Sequence, residues 1–418
     1  MSLSNPWFIA AVLGIAGVFH LDLLVTFLNV ARLGRPLPSA LADIYTPEMR
    51  ERAAAYIRDE ARFDVIRSSF FLTLLVVFWW SGGFAWLQGV CITLTREPLM
   101  QSLLALVFVA VAQTLLNLPF DAWSTFKIEA AHGFNRTTLG TFITDHFKSL
   151  ALMAVLGLPI AAAIIWFFQT QTLAALYAWA AVALFSILMT WLGPRLLMPL
   201  FLKFQPLPEG PLRESIFELA GRLQFPVTEV SIVDGSRRST KANAFFAGFG
   251  KLRRIALFDT LVEKHTPDEI LAVLAHEIGH NKRRHVPVRL AAAVLELGLL
   301  FGLLQWALHT PEFYAAFGIT VTPQTALPVG IGLTLFGLIY KPLGLIIHLL
   351  GQALSRKHEF EADAFAAQAL GSASPLASGL KRLSTDHLAH PDPHPLAVWL
   401  HYSHPPLAQR LQALHLAS

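Results

Sequence analysis

The chain has 418 residues, 54% apolar and only 14% charged, with a formal charge of +4 and a mean hydropathy of +0.52. A soluble domain carries about 25% charged residues, and a disordered chain lacks this much apolar surface, so both classes are excluded and a membrane protein is indicated. The mild positive balance gives no reason to expect a nucleic-acid partner, and the single cysteine, Cys91, excludes an intramolecular disulfide and any cysteine-based zinc site.

A helix needs roughly 20 largely apolar residues to cross a hydrocarbon core of about 30 Å. Residues 7–30 are the first such stretch, and no basic residue precedes them, so they read as a span and not as a cleaved signal. Residues 31–67 form a polar connector in which Pro36 and Pro38 end the first span and Thr46-Pro47-Glu48 starts a charged helix. Residues 68–94 and 99–120 supply the second and third spans. Residues 121–148 hold Gly133-Phe134-Asn135-Arg136-Thr137, a turn between two amphipathic pieces. Residues 149–194 contain no charged side chain. As one helix they would be about 69 Å long, so the polar run Gln169-Thr170-Gln171-Thr172 divides them into spans four and five. Residues 290–308 and 326–349 complete a set of seven, the last interrupted by Lys341-Pro342.

Of the 32 Lys and Arg residues, 31 lie in the odd-numbered loops or the C-terminal segment, and Arg96 alone lies in an even-numbered loop. The positive-inside rule then puts the N-terminus outside and the long fifth loop and C-terminal segment in the cytosol. The membrane is expected to be a bacterial inner membrane or that of the endoplasmic reticulum. His20, Asp22, Asn29, Asn117 and Glu296 fall within the spans. Such groups either bond between helices or face a water-filled cavity.

The fifth loop is long enough for a small α/β unit. Residues 225–233 alternate as a strand does, and residues 244–249 and 254–258, separated by Gly250-Lys251-Leu252, suggest a hairpin. Its edge either belongs to an ordinary small sheet or accepts an extended peptide by strand addition. Next comes Thr266-Pro267-Asp268-Glu269, an N-cap, a first-turn proline and a capping-box acid. The apolar rhythm of Ile270, Leu271, Val273, Leu274 and Ile278 places His276-Glu277-Ile278-Gly279-His280 on a helix. Histidines at i and i+4 share a face and can bind one zinc, and Glu277 can direct its carboxylate at a metal-bound water.

A catalytic zinc needs a third protein ligand. A metzincin would place a histidine and a glycine where this chain has Val286 and Arg283, so that class is excluded. After the seventh span comes Ser355-Arg356-Lys357-His358-Glu359-Phe360-Glu361-Ala362-Asp363. Glu359 and Asp363, four apart, share a helical face. Glu359 is the better ligand, with His358 its rival, and Asp363 can accept the other ring N–H of a ligand histidine. The tail contributes His401-Tyr402-Ser403-His404-Pro405-Pro406 and then Arg410, within a cluster of six histidines. His404 can serve as an oxyanion donor only if the tail folds back over the zinc. The other tail histidines are loose on the surface or hold a second metal.

These residues together resemble the type I CAAX prenyl proteases, membrane zinc endopeptidases of the gluzincin type. The likeness spans nearly the whole chain. It rests on Leu41-Ala42-Asp43-Ile44-Tyr45, Phe126-Lys127-Ile128-Glu129, Gly133-Phe134-Asn135, Lys241-Ala242-Asn243-Ala244-Phe245-Phe246 and Leu257-Phe258-Asp259-Thr260-Leu261, with the three site segments above. Asn281, where relatives often have a large aromatic, and Glu361, where they have a neutral polar residue, depart from the pattern. Seven spans separate the chain from the four-span heat-shock membrane proteases.

The resemblance implies a mainly α fold, in which a polytopic seven-helix membrane bundle encloses a chamber closed by a cytosolic gluzincin-type zinc protease domain with a small β-sheet. It implies one zinc per chain on His276, His280 and Glu359, and Glu277 as base. It implies that Asn243 and the following Ala244 and Phe245 hold the substrate backbone, and that His404 and Arg410 complete the catalytic set. Residues 1–200 would be the membrane domain and 201–418 the protease domain with spans six and seven. The expected partners are membrane lipid and a peptide or protein substrate, prenylated or otherwise membrane-associated. Two alternatives stand beside this reading: a broad-specificity quality-control protease for membrane proteins, and a channel or transporter with a structural zinc.

Overall fold

The computed structural model describes residues 4–247, 254–322 and 326–417. Asn5 starts helix α1 (Pro6–Ala31) by accepting the Trp7 and Phe8 N–H groups at 2.8 and 3.3 Å. Thr46 caps α2 (Pro47–Trp80) in the same way, accepting from Met49. Here the expected second span is corrected. Gly82, at φ +78, turns the chain between α2 and a separate short helix, α3 (Gly83–Leu94). The second span is therefore the 34-residue α2, which begins in the polar connector, and the 12-residue α3 is too short to cross. Hydropathy runs unbroken through Gly82, so the boundary lies in a backbone conformation that glycine adopts freely and apolarity does not mark.

Helix α4 (Pro98–Trp123) continues through a wide π turn to Glu129. Helices α5 (Leu139–Leu152) and α6 (Leu158–Thr170) join through a second π turn into one span, and α7 (Ala174–Leu196) follows the expected polar break. After the short α8 (Met198–Phe201) comes the polar domain: β1 (Phe204–Pro206), α9 (Pro211–Arg222), β2 (Glu229–Val233), β3 (Ala244–Ala247), β4 (Arg254–Phe258), α10 (Asp259–Lys264) and α11 (Pro267–Lys282). The chain re-enters the bundle with α12 (His285–Leu308), turns through α13 (Pro311–Ala315) and runs back along α14 (Val329–Leu370). It ends in α15 (Ser374–Asp386), α16 (Pro395–His401) and α17 (Leu407–Ala417). Seven helices are long and apolar enough to cross a membrane.

The sheet order is β1-β2-β4-β3, with β2 and β4 parallel and both outer pairs antiparallel. The expected hairpin forms, Ala244 facing Leu257, while Phe249 and its turn at 250–252 lie outside the described residues. The expected strand at 225–233 shrinks to Glu229–Val233; Pro226, without an N–H, cannot donate to a ladder. Val230, Ile255 and Leu257 of the sheet pack on Ile216 and Leu219 of α9, Ile270 and Leu274 of α11, and Ala366 of α14.

The last span is also corrected. Lys341-Pro342 does not interrupt it: α14 is a continuous 42-residue helix with Pro342 inside, about 63 Å long. Neighbouring helices let membrane helices tolerate such a proline. One rod thus carries both the seventh span and Glu359. Its outer end is fixed by close packing: a Cβ on Gly330 would lie 1.9 Å from the Ser102 carbonyl oxygen of α4. Nearby, the Trp79 indole donates to the Ala316 carbonyl at 3.1 Å and stacks on Phe317, closing the end of the bundle far from the sheet.

Candidate active site

Helix α11 begins as its sequence dictates. Thr266 Oγ1 accepts the Glu269 N–H at 3.3 Å, and Glu269 Oε2 accepts the Thr266 N–H at 3.0 Å. Ile270, Leu274 and Ile278 are buried, which leaves His276, Glu277 and His280 toward α14 and the cavity beside it. Gly279 permits the approach of α14, since a Cβ there would meet Ala362 Cα at 3.2 Å and the Phe365 ring at 3.1 Å.

That contact delivers Glu359 to the histidines. Its carboxylate lies 3.3 Å from His276 Nε2 and 3.3 Å from His280 Nε2, and the two Nε2 atoms are 3.1 Å apart. His276 Nδ1 is 2.8 Å from Asp363 Oδ1. A carboxylate only accepts, so this contact puts the proton on Nδ1 and leaves the Nε2 lone pair facing inward. Glu359 is 2% exposed, and its Oε2 is buried without a hydrogen-bond partner. Two imidazole nitrogens and a carboxylate oxygen converging within 4.8 Å form the donor set of a catalytic zinc site, and a cation held there would satisfy the orphaned oxygen. Among the described residues this is the one such grouping. His358, the rival ligand, is turned away and stacks on His285.

His276 and Glu359 line a cavity of about 720 Å³ with Glu277, Asn243, Ala244, His404 and Arg410. Burial holds the Glu277 carboxyl above the usual carboxylate range. The tail does fold back: His404 Nε2 comes within 3.4 Å of Glu359 Oε1, although its side chain stays exposed. Arg410 is buried and its fork is taken by Asp363, Nε and Nη2 donating at 2.7 and 2.6 Å, with Nη2 3.8 Å from Glu359. Strand β3 is the sheet edge beside the cavity. There the Ala244 N–H is held by Asn243 Oδ1 at 2.8 Å. Phe245 turns its ring toward Phe204 and Phe258 and does not line the cavity.

The cavity continues past Asn29, Tyr56 and Glu60 of α1 and α2 to a second of about 580 Å³, lined by Asp22, Asp64 and His401 and sharing Asn29 and Glu60 with the first. Intramembrane Asp22 and Asn29 thus line this second cavity. The segment leading into β3 is anchored by α2 and the third loop: Lys241 Nζ donates to Tyr56 Oη at 3.0 Å and pairs with Glu129 at 3.0 Å, over the Phe134 ring.

Residues 26–203 match the family described as CAAX prenyl protease N-terminal, five membrane helices, and residues 206–417 match peptidase family M48. The chain belongs to the CAAX prenyl protease 1 family. It is 37% identical to the CAAX prenyl protease 1 homolog of Arabidopsis thaliana over 90% of each chain. It is 33% identical to CAAX prenyl protease 1 of Saccharomyces cerevisiae, over 96% of this chain and 93% of that one. The crystal structure of S. mikatae Ste24p superposes with a TM-score of 0.91 at 33% identity, covering 98% and 99% of the two chains. The chain is accordingly an integral-membrane zinc metalloendopeptidase of this CAAX prenyl protease family, mainly helical with a small mixed sheet.

The sequence leaves the tail histidines open, and the structure gives two of them, His387 and His390, protein partners. His387 Nε2 accepts the Ala242 N–H at 3.1 Å, steadying the lead into β3, and His390 Nε2 reaches the Asn29 carbonyl at 2.9 Å. No spacing rule links His387 to Ala242, 145 residues away. Only the fold brings them together.

Proposed function

We propose that the chain cleaves prenylated or membrane-associated peptides close to their C-termini, inside the cavity that joins the histidine cluster to the bundle interior. That adjacency is the observation that supports the reading: a peptide anchored in the membrane by a lipid can reach the reacting centre through the two adjoining cavities, which share Asn29 and Glu60. Residues 1–200 serve as the membrane domain and 201–418 as the protease domain, which takes α12 and the first half of α14 through the bilayer. The charge distribution supports an outside N-terminus and a cytosolic protease domain, and the eukaryotic relatives favour the endoplasmic reticulum as the membrane.

His276 and His280, through Nε2, and Glu359, through a carboxylate oxygen, hold one zinc per chain. Zinc, when bound, supplies Lewis acidity to the scissile carbonyl. Glu277, whose burial favours holding a proton, takes one from the attacking water and passes it to the leaving amine. The substrate backbone lies along β3 beside Asn243, Ala244 and Phe245, and takes the Ala244 N–H that Asn243 Oδ1 occupies without it. His404 Nε2 donates to the developing oxyanion. Arg410 acts from behind, by fixing Asp363 and so His276.

The test compares purified wild type with Glu277→Ala, measuring zinc content and cleavage of a farnesylated peptide and its unmodified twin. The expected result is one zinc per chain in both proteins, with preference for the farnesylated peptide. Turnover should fall about 10²- to 10⁴-fold in the variant. Equal cleavage of the twins would favour a broad quality-control role, and unchanged turnover in Glu277→Ala would leave only a structural zinc.

A further inference from the structure

His280 is held from behind by residues on two other helices. Its Nδ1 lies 2.9 Å from His285 Nδ1, and His285 Nε2 lies 3.0 Å from Glu361 Oε2. The proton positions follow from one end of this chain. A carboxylate can only accept, so His285 carries its proton on Nε2 and donates to Glu361. Its Nδ1 is then an acceptor, and His280 Nδ1 donates to it. That leaves the His280 Nε2 lone pair facing Glu359 and His276, which is the tautomer a zinc ligand requires.

The geometry of His285 is also fixed. It is 2% exposed, and its ring stacks on His358 with centroids 3.9 Å apart and planes 6° from parallel. Arg284, at φ +60, turns the chain so that the first residue of α12 comes back beside the last turn of α11. Residues with a Cβ rarely adopt this left-handed backbone, so the turn is held by the contacts it makes. The arrangement parallels the one behind His276, whose Nδ1 lies 2.8 Å from Asp363 Oδ1.

We propose that Glu361 and His285 form a hydrogen-bonded relay that fixes the tautomer and ring plane of His280, making both of them positioning residues for the second zinc ligand. The proposal rests on the zinc reading of the His276–His280–Glu359 group. It predicts that the two residues act as a unit. Glu361 influences zinc only through His285 and does nothing once His285 is gone.

The experiment is a double-mutant cycle read as zinc affinity, by chelator competition on the full-length protein. The set is wild type, Glu361→Ala, His285→Phe and the double variant, with Glu361→Gln added. Phe keeps the stack on His358, and Glu361 is partly exposed, so its replacements leave the core untouched. Each single change should weaken zinc about 10- to 100-fold, and the double variant should be no weaker than His285→Phe alone. Glu361→Gln, whose amide oxygen still accepts from His285, should bind more tightly than Glu361→Ala. Wild-type affinity in both single variants overturns the relay. So do losses that multiply in the double variant, because Glu361 would then act by its charge alone. A wild type that binds no zinc overturns the relay together with the metal reading beneath it.

Discussion

Arg410 and His404 both reach the ligand carboxylate, but their side chains are committed differently. The Arg410 fork closes on Asp363 at 2.6 and 2.7 Å with both groups buried, whereas exposed His404 keeps Nε2 toward the cavity. Removing one partner of a buried pair strands the other charge, at about 3–5 kcal/mol. Arg410→Ala should therefore lower the thermal unfolding midpoint and loosen zinc together, through Asp363 and His276. Arg410→Lys should recover only part, since one ammonium cannot replace a bidentate fork. His404→Ala should leave the midpoint and zinc affinity as they are and lower kcat about 10²- to 10³-fold. Unfolding scans with and without zinc, set beside kcat, separate the two. The local part of this site is legible in sequence, because i, i+4 spacing alone puts His276 beside His280 and Glu359 beside Asp363. Arg410 is different: it lies 47 residues from Asp363, and only the folded tail decides that its fork is used there.

At the level of elements, the site is the crossing of α11 and α14. The capping box and apolar rhythm foretell α11 because both are written within one or two turns. Apolarity does not reveal that α14 runs unbroken through Pro342, or that α2 stops at Trp80. The first depends on neighbouring helices and the second on one glycine's φ. The consequence of the unbroken rod is that membrane packing and ligand placement are linked. A methyl on Gly330 meets backbone, which cannot yield, so Gly330→Ala should destabilise the protein by about 3 kcal/mol. Gly279→Ala is the subtler change, since the Cβ needs a few tenths of an ångström from Ala362 and Phe365. It should cost less in stability yet move Glu359 relative to the histidines, weakening zinc more than it lowers the unfolding midpoint. The reverse order, with zinc affinity intact and stability lost, would show that the crossing does not set the ligand geometry.

For the molecule as a whole, the sidedness of charge becomes the sidedness of chemistry. The zinc ligands, Glu277, the sheet edge and the tail all belong to the odd-numbered loops and the C-terminal segment, the parts of the sequence that hold 31 of the 32 basic residues. The end of the bundle far from the sheet is closed by Trp79, Phe317 and the short α13. Anionic lipid and the membrane potential both favour basic loops on the cytosolic side, so cleavage should occur there. The chain lends itself to a direct check, because its one cysteine, Cys91, is fully buried and gives little background. A cysteine replacing exposed Glu97, between α3 and α4, reports one face, and a cysteine replacing exposed Glu209, after β1, reports the other. In sealed vesicles with the cytosolic face inward, a membrane-impermeant maleimide should label Glu97→Cys at once and Glu209→Cys only after permeabilisation. The opposite labelling order would invert the topology, and with it the side on which a prenylated substrate must present its C-terminus.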